Sequence, residues 1–160
     1  MSIVFDRFFL LCTFLGNYAI IWILLALILA YYHKKNESRI LGLSFVAITT
    51  SFILTETLKI ILRIPRPLFH SVFCPTDFSW PSGHTATSFS AAFILAHLDR
   101  KRAWFYMVLA GLISYSRIYL GCHRPIDVVG GLLVAVVAYV ISLRFTKKNR
   151  STLAKHRKTH

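Results

Sequence analysis

The longest uncharged stretch of the sequence covers residues 8–32, which read FFLLCTFLGNYAIIWILLALILAYY. Thr13 and Asn17 are its only clearly polar members. A helix that crosses a membrane needs about 20 apolar residues, whereas the apolar core of a signal peptide is shorter. The stretch therefore predicts an uncleaved transmembrane helix.

Four further apolar stretches follow along the chain, at residues 40–62, 82–98, 103–119 and 126–143. Inside hydrocarbon the backbone must satisfy its own hydrogen bonds, and these stretches lack the alternation of barrel strands. We therefore predict an all-α integral membrane bundle of about five transmembrane helices. Residues 1–146 form its single domain, and residues 147–160 form a basic tail.

The composition agrees with a membrane protein. Of the 160 residues, 56% are hydrophobic and only 16% are charged, whereas soluble domains are nearer half apolar and a quarter charged. The net charge is +13, but the basic residues are divided among long hydrophobic stretches. This pattern excludes a DNA-binding fold, so we expect no nucleic acid as a partner, and the sequence predicts no protein partner.

The basic residues are distributed unevenly between the two sides of the predicted bundle. The side that holds loop 33–39, turn 99–102 and the C-terminal tail carries thirteen Lys and Arg residues, against five on the other side. Loops rich in Lys and Arg stay in the cytoplasm. We therefore expect the tail to be cytoplasmic and to lie without regular structure at anionic headgroups.

Polar residues from four different spans gather at the opposite, outer face. They are Lys59, Arg66, Ser82, Gly83, His84, Arg117, His123 and Asp127. Charged groups near the membrane core are costly and commonly functional, and a random distribution would not bring them to one level. The sequence therefore predicts a functional site at this face.

The residue types at this face are those of phosphoryl transfer. Lys59, Arg66 and Arg117 supply three positive charges, and guanidinium groups match phosphate oxygens. Residues 82–84 begin a helix, where free N–H groups favour an anion and Gly83 allows close approach to the backbone.

Two histidines complete the predicted chemistry. His123 and Asp127 are four residues apart, so the carboxylate can hold one imidazole nitrogen and leave the other free to attack. His84 is then available as the acid that protonates the departing oxygen.

Each of these residues also has a structural interpretation. His84 could be a buried histidine satisfied by a neighbour, and His123 with Asp127 could be a capping pair. Arg66 and Arg117 could lie at the headgroup level. Glu56 is interpreted as the partner of a basic neighbour.

The spacing of these residues resembles the three-part signature of the type 2 phosphatidic acid phosphatase family. Its parts are Lys59 with Arg66-Pro67, then Pro81-Ser82-Gly83-His84, then Ser116-Arg117 with His123 and Asp127. The resemblance implies hydrolysis of phosphate esters or diphosphates through a phosphohistidine, without a metal or other cofactor. It makes His123 the nucleophile, Asp127 its orienting carboxylate and His84 the general acid. It also makes Lys59, Arg66, Ser82, Gly83 and Arg117 the phosphate-binding residues.

Two features bear on this resemblance. Many membrane members of the family have six spans, whereas five are counted here. Of the acidic residues, only Asp127 is placed in the cluster, so a carboxylate cage for Mg²⁺ or Ca²⁺ is not expected.

The expected substrate is a lipid phosphate in the outer leaflet of a bacterial cytoplasmic (inner) membrane. Lipid A 1-phosphate is preferred, with undecaprenyl pyrophosphate and phosphatidylglycerophosphate as alternatives. A transporter, a phosphate-binding protein without turnover and a vanadate-dependent oxidase are the alternatives of other classes. The sequence leaves open whether Cys74 and Cys122 form a disulfide.

Overall fold

The computed structural model describes residues 3–67 and 74–156. Within them the regular structure is helical, with three short 3₁₀ turns between the longer helices. The helices are α1 (Ile3–Gly16), α2 (Ile20–Tyr32), α3 (Glu37–Leu62), α4 (Gly83–Leu98), α5 (Ala103–Tyr119) and α6 (Pro125–His156).

Helix α4 lies at the centre of the bundle and packs against α3, α5 and α6. Its buried face is built from small residues, among them Ala86, Ser90, Ala91 and Ala92. Small side chains let helix backbones approach closely, which is how helices associate where lipid is as apolar as the core. Helix α1 packs mainly on α5, and α2 packs mainly on α3.

The outer surface of the bundle is apolar. Large side chains such as Phe45, Phe52 and Leu133 are exposed, as expected for a protein whose solvent is lipid. Three helical segments, Ile3–Tyr32, Lys34–Leu62 and Pro125–Phe145, are long and apolar enough to cross a membrane. Helices α4 and α5 are shorter, at 16 and 17 residues. The predicted all-α membrane bundle is confirmed.

The first apolar stretch is not one continuous helix, contrary to the prediction for residues 8–32. A 3₁₀ turn over Asn17–Ala19 separates α1 from α2. Tyr18 and Ala19 both have positive φ angles, 51° and 59°, a left-handed conformation that costs a non-glycine residue about 1–2 kcal/mol. The uniformly apolar sequence does not reveal this break, because hydrophobicity reports burial in lipid and not backbone geometry.

The last helix is longer than predicted. Helix α6 continues to His156, so residues 147–156 are helical and not irregular as expected. Beyond the apolar run, residues 144–156 contain no Gly or Pro, and a helix already formed adds such residues easily. The predicted tail residues 157–160 lie outside the described residues.

Candidate active site

A cavity of about 620 Å³ opens at one end of the bundle, and six of the eight predicted site residues line it. These are Lys59, Arg66, Gly83, His84, Arg117 and His123. The remaining two, Ser82 and Asp127, are buried behind the cavity.

The alternation of helix direction brings these residues together. Lys59 lies in the last turn of α3 and Arg117 in the last turn of α5. Gly83 and His84 lie in the first turn of α4. Because successive helices run in opposite directions, the ends of α3 and α5 meet the start of α4 at one end of the bundle.

His123 is held between a carboxylate and a guanidinium. Its Nδ1 lies 3.5 Å from Oδ2 of Asp127, and its Nε2 lies 3.2 Å from Nη1 of Arg66. A guanidinium can only donate hydrogen bonds, so Nε2 accepts and carries the lone pair. The proton of the neutral ring is therefore on Nδ1, toward Asp127, and Nε2 is the nitrogen that can attack phosphorus.

The surroundings of His123 keep it neutral. Burial lowers the pKa of His123, and the hydrogen bond to Asp127 opposes that effect. The charges of Arg66 and Arg117 lower it further, and the net shift is downward. An unprotonated imidazole is the form that a nucleophile requires.

Asp127 is itself fixed by other donors. Its Oδ2 accepts from the backbone N–H of Arg124 at 2.8 Å and from the hydroxyl of Ser79. Ser79 is fully buried, and its backbone N–H donates to the carbonyl of Ile64. Sequence reasoning missed Ser79, because it precedes the Pro-Ser-Gly-His motif and a lone serine in a loop has no distinguishing pattern.

Arg117 is a buried cation with unused donors. Its Nη1 donates to Oγ1 of Thr13 at 3.3 Å. Its Nε and Nη2 have no hydrogen-bond partner among the residues that the structure describes. Since Arg117 also lines the cavity, these unpaired N–H groups belong to a residue of the cavity wall.

The first turn of α4 presents its backbone to the cavity. A Cβ placed on Gly83 would lie 3.9 Å from Nζ of Lys59, so the glycine keeps the space beside this ammonium free of a side chain. Ser82 has a different position from the one predicted. Its hydroxyl accepts from the backbone N–H and the hydroxyl of Thr85, so it caps α4 and does not line the cavity.

Asp77 is an acidic residue of the cavity that sequence reasoning did not place there. Its carboxylate forms ion pairs with both Lys59 and Arg66. Burial alone would raise the pKa of Asp77, but the hydrogen bonds and charges of Lys59 and Arg66 hold it below the usual range.

Glu56 also lines the cavity and pairs with Lys59 at 3.0 Å, as its interpretation as a partner of a basic neighbour predicted. The expectation that Asp127 alone of the acidic residues belongs to the cluster is therefore wrong.

A disulfide attaches the segment before α4 to the turn that carries His123. Cys74 and Cys122 are bonded, with their Cα atoms 5.3 Å apart. The backbone carbonyl of Cys122 also accepts from Nη1 of Arg66 at 2.8 Å. Cys122 directly precedes His123, so the bond connects the residues around Asp77 to the site at His123.

The comparisons with known proteins agree with this geometry. The family model of the PAP2 superfamily matches residues 39–151. Undecaprenyl-diphosphatase BcrC of Bacillus subtilis is 27% identical over 143 residues, 84% of this chain and 72% of that protein. Lipid A 4'-phosphatase of Bacteroides thetaiotaomicron is 45% identical over 60 residues, 36% of this chain and 26% of that protein.

A solved structure extends the similarity to the fold. The crystal structure of Aquifex aeolicus LpxE has a TM-score of 0.77 with this chain at 29% sequence identity. The match covers 90% of this chain and 88% of that chain. The matched residues 39–151 include both histidines, the supporting carboxylate and all three cations of the cavity. The chain therefore belongs to the PAP2 superfamily and is a lipid phosphatase of that family.

Proposed function

We propose that the protein removes a terminal phosphate from a membrane lipid through a phosphohistidine formed on Nε2 of His123. The observation that carries this proposal is the environment of the His123 ring. Asp127 lies beside Nδ1, and Arg66 lies beside the lone pair of Nε2. This arrangement leaves one nitrogen unprotonated and directed at a group that binds phosphate oxygens.

The reaction has two steps. Nε2 of His123 attacks phosphorus in line, the bond between phosphorus and the leaving oxygen breaks, and the protonated His84 gives a proton to that oxygen and becomes neutral. Water then attacks the phosphohistidine and gives a proton to His84, and the bond between nitrogen and phosphorus breaks. The products are inorganic phosphate and the lipid with one phosphate fewer.

The cations of the cavity take the place that a metal ion has in other phosphatases. Lys59, Arg66 and Arg117 all line the cavity, and fixed charges in a desolvated site stabilise the equatorial oxygens of the transferring phosphoryl group. Activity is therefore proposed to be independent of metal ions.

We propose undecaprenyl diphosphate as the first candidate substrate. The similarity to undecaprenyl-diphosphatase BcrC covers 84% of the chain, and so includes the loops that border the cavity. Lipid A 1-phosphate, preferred from the sequence, is the second candidate. It is supported by the 45% identity to a lipid A 4'-phosphatase over a stretch of 60 residues.

We further propose that the cavity opens to the outside of a bacterial inner membrane. The basic ends of the helices, which carry Lys34, Lys35 and residues 100–102, lie at the opposite end of the bundle from the cavity. Basic loops favour the cytoplasm. Five membrane crossings, with α1 and α2 forming one broken crossing, would place the C-terminus of α6 on the cytoplasmic side.

The test is a panel of purified lipids presented at equal surface concentration to the full chain in detergent. Undecaprenyl diphosphate, lipid A, phosphatidylglycerophosphate and phosphatidic acid are scored for phosphate release, with and without exhaustive chelation. We expect release from at least one lipid, with undecaprenyl diphosphate first, and no loss of rate in the chelator. Loss of activity in the chelator would instead indicate a metal enzyme.

His123→Ala should lower the rate by at least about a thousandfold, since the covalent step has no other nucleophile. His97→Gln is the matched control, because His97 is exposed and lies near the other end of α4. Radiolabelled wild-type protein quenched in alkali should retain phosphate on histidine. An active His123→Ala variant would exclude the proposed mechanism, and solute flux without phosphate release would favour transport.

A further inference from the structure

The first apolar segment contributes a polar side chain to the site. Asn17 lies in the turn that separates α1 from α2, and it is one of only two clearly polar residues in the stretch 8–32. It lines the same cavity as His84 and His123. It also lies outside residues 39–151, which the family model matches.

Asn17 touches the histidine that acts as the acid. Its Oδ1 lies 2.8 Å from Nε2 of His84. An amide oxygen can only accept a hydrogen bond, so the ring of His84 donates from Nε2. This contact directs the Nε2 proton at Asn17 and restricts rotation of the ring, so the proton that His84 gives to the leaving oxygen is the one that the protonated ring carries on Nδ1.

The backbone around Asn17 is packed so that this contact is held. A Cβ on the preceding Gly16 would lie 2.6 Å from Cγ2 of Ile113 and 3.0 Å from Cδ2 of His84. The end of α1 therefore approaches both α5 and the imidazole as closely as a glycine allows. The left-handed Tyr18 and Ala19 then turn the chain into α2. Left-handed residues other than glycine are uncommon, and strained backbone is often found at functional sites.

The two histidines of the site have partners of different charge. His123 faces the carboxylate of Asp127, whereas His84 faces the neutral amide of Asn17. A carboxylate stabilises a protonated imidazole and makes it a better base, whereas an amide orients the ring without adding negative charge. Sites that need both a nucleophile and an acid commonly separate the two groups by their environments.

We propose that Asn17 is the positioning residue of His84, which it orients as the proton donor to the leaving oxygen. This inference rests on the proposed function, in which His84 is the general acid. It assigns a role in the reaction to the turn between α1 and α2 and so accounts for a helix break that hydropathy alone does not predict.

The first test uses two substrates that differ in their need for a proton. Dioctanoyl phosphatidic acid has a poor leaving group that must be protonated, whereas p-nitrophenyl phosphate has a leaving group that departs without a proton. Asn17→Ala should lower kcat about tenfold to a hundredfold for the first substrate and less than about threefold for the second, as expected for loss of general-acid assistance. Equal losses on both substrates would overturn the inference.

The second test asks whether Asn17 acts through His84. In a His84→Ala background, adding Asn17→Ala should change kcat for phosphatidic acid less than about twofold, because residues that act as a unit are not additive. A further tenfold loss in the double variant would show that Asn17 acts elsewhere and would overturn the inference.

The third test replaces the amide beside His84 by a carboxylate, the kind of group that lies beside His123. The charged or titratable groups that act on His84 are Arg117 from α5, His123 from the turn before α6 and Lys59 from α3. Asn17→Asp adds a negative charge against these, so the alkaline limb of the pH–rate profile should move upward by about one unit. Asn36→Asp makes the same chemical change in the exposed turn between α2 and α3 and should leave the limb unmoved. An unmoved limb in Asn17→Asp would count against the inference.

The outcomes separate this inference from the proposed function. If the wild-type protein released phosphate from neither probe nor any lipid of the panel, the proposed function would fail. If the wild type were active and His84→Ala lost activity mainly on phosphatidic acid, but Asn17→Ala behaved as wild type, only the role of Asn17 would fail.

Discussion

Asp77 is placed to compete with an incoming phosphate for two of the three cations in the cavity. Its carboxylate pairs with Lys59 and with Arg66, the groups proposed to bind phosphate oxygens. A phosphate dianion that approaches these cations meets the negative charge of Asp77. The carboxylate is about two-fifths exposed, so it can rotate toward solvent when an anion enters.

Replacing Asp77 by Asn should therefore tighten the binding of phosphate analogues. We expect the inhibition constant for vanadate to fall about fivefold, which corresponds to about 1 kcal/mol, the scale of a partly exposed ion pair. The measurement is inhibition of p-nitrophenyl phosphate hydrolysis by vanadate at constant ionic strength.

Glu56→Gln is the matched control for this substitution. Glu56 pairs with Lys59, but no contact with Arg66 is seen among the described residues, so a smaller change is expected. A higher inhibition constant in Asp77→Asn would mean that Asp77 holds the two cations in place and does not compete with phosphate.

At the scale of elements, the segment between α3 and α4 is attached to the bundle by the Cys74–Cys122 disulfide. This segment carries Arg66, Asp77 and Ser79, which contact His123 or its partners. The crosslink closes a loop with a sequence separation of 48 residues. It therefore restricts the unfolded chain and also limits the positions of the cavity wall.

Breaking this disulfide should lower both stability and activity. Loss of a crosslink over such a loop costs about 2–4 kcal/mol, so the thermal unfolding midpoint in detergent should fall. The rate should fall with it, because Arg66 binds the carbonyl of Cys122. The measurements are thermal unfolding and phosphate release, each with and without a reductant.

A double variant and a single variant serve as controls for the disulfide. Cys74→Ser with Cys122→Ser should show the loss without a reductant and no further response to it. Cys12→Ser should keep the response, since Cys12 is a free buried thiol in α1. An unchanged midpoint and rate in the double variant would contradict a role for the crosslink.

At the scale of the whole molecule, the basic turns and the cavity lie at opposite ends of the helical bundle. The cavity lies at the end where α3 and α5 finish and α4 begins, and the basic turns Lys34–Asn36 and Arg100–Arg102 lie at the other end. Lysine- and arginine-rich loops stay in the cytoplasm. The orientation of the bundle in the membrane therefore determines the side on which the enzyme meets its lipid.

This orientation can be measured with single cysteines and a membrane-impermeant maleimide. Tyr18→Cys lies at the cavity and Ser38→Cys lies at the basic end, and both positions are exposed. Among the native cysteines, Cys12 is buried and the other two are bonded, so the unmodified chain gives the background. We expect Tyr18→Cys to react in intact cells and Ser38→Cys to react only after permeabilisation. The reverse pattern would place the site on the cytoplasmic side.

The class of fold and most of the cavity could be predicted from the sequence for a physical reason. The length of an apolar stretch must match the thickness of the hydrocarbon, so helices such as α3 and α6 can be recognised one at a time. Polar residues at their ends, such as Lys59 and Arg117, then occupy the same face because the chain reverses direction at each crossing.

The partners of those residues were decided by the tertiary structure alone. Three of these contacts join segments that are distant in sequence: Asn17 with His84, Asp77 with two cations, and Ser79 with Asp127. Residue spacing within one segment carries no information about such contacts. The break between α1 and α2 has the same origin, since packing of Gly16 against Ile113 and His84 outweighs the local preference of an apolar chain to stay helical. The sequence by itself thus determined that helices would form and which chemical groups would reach one face, because both depend on local composition. The orientation and protonation of each group depend on contacts that exist only once the helices have packed.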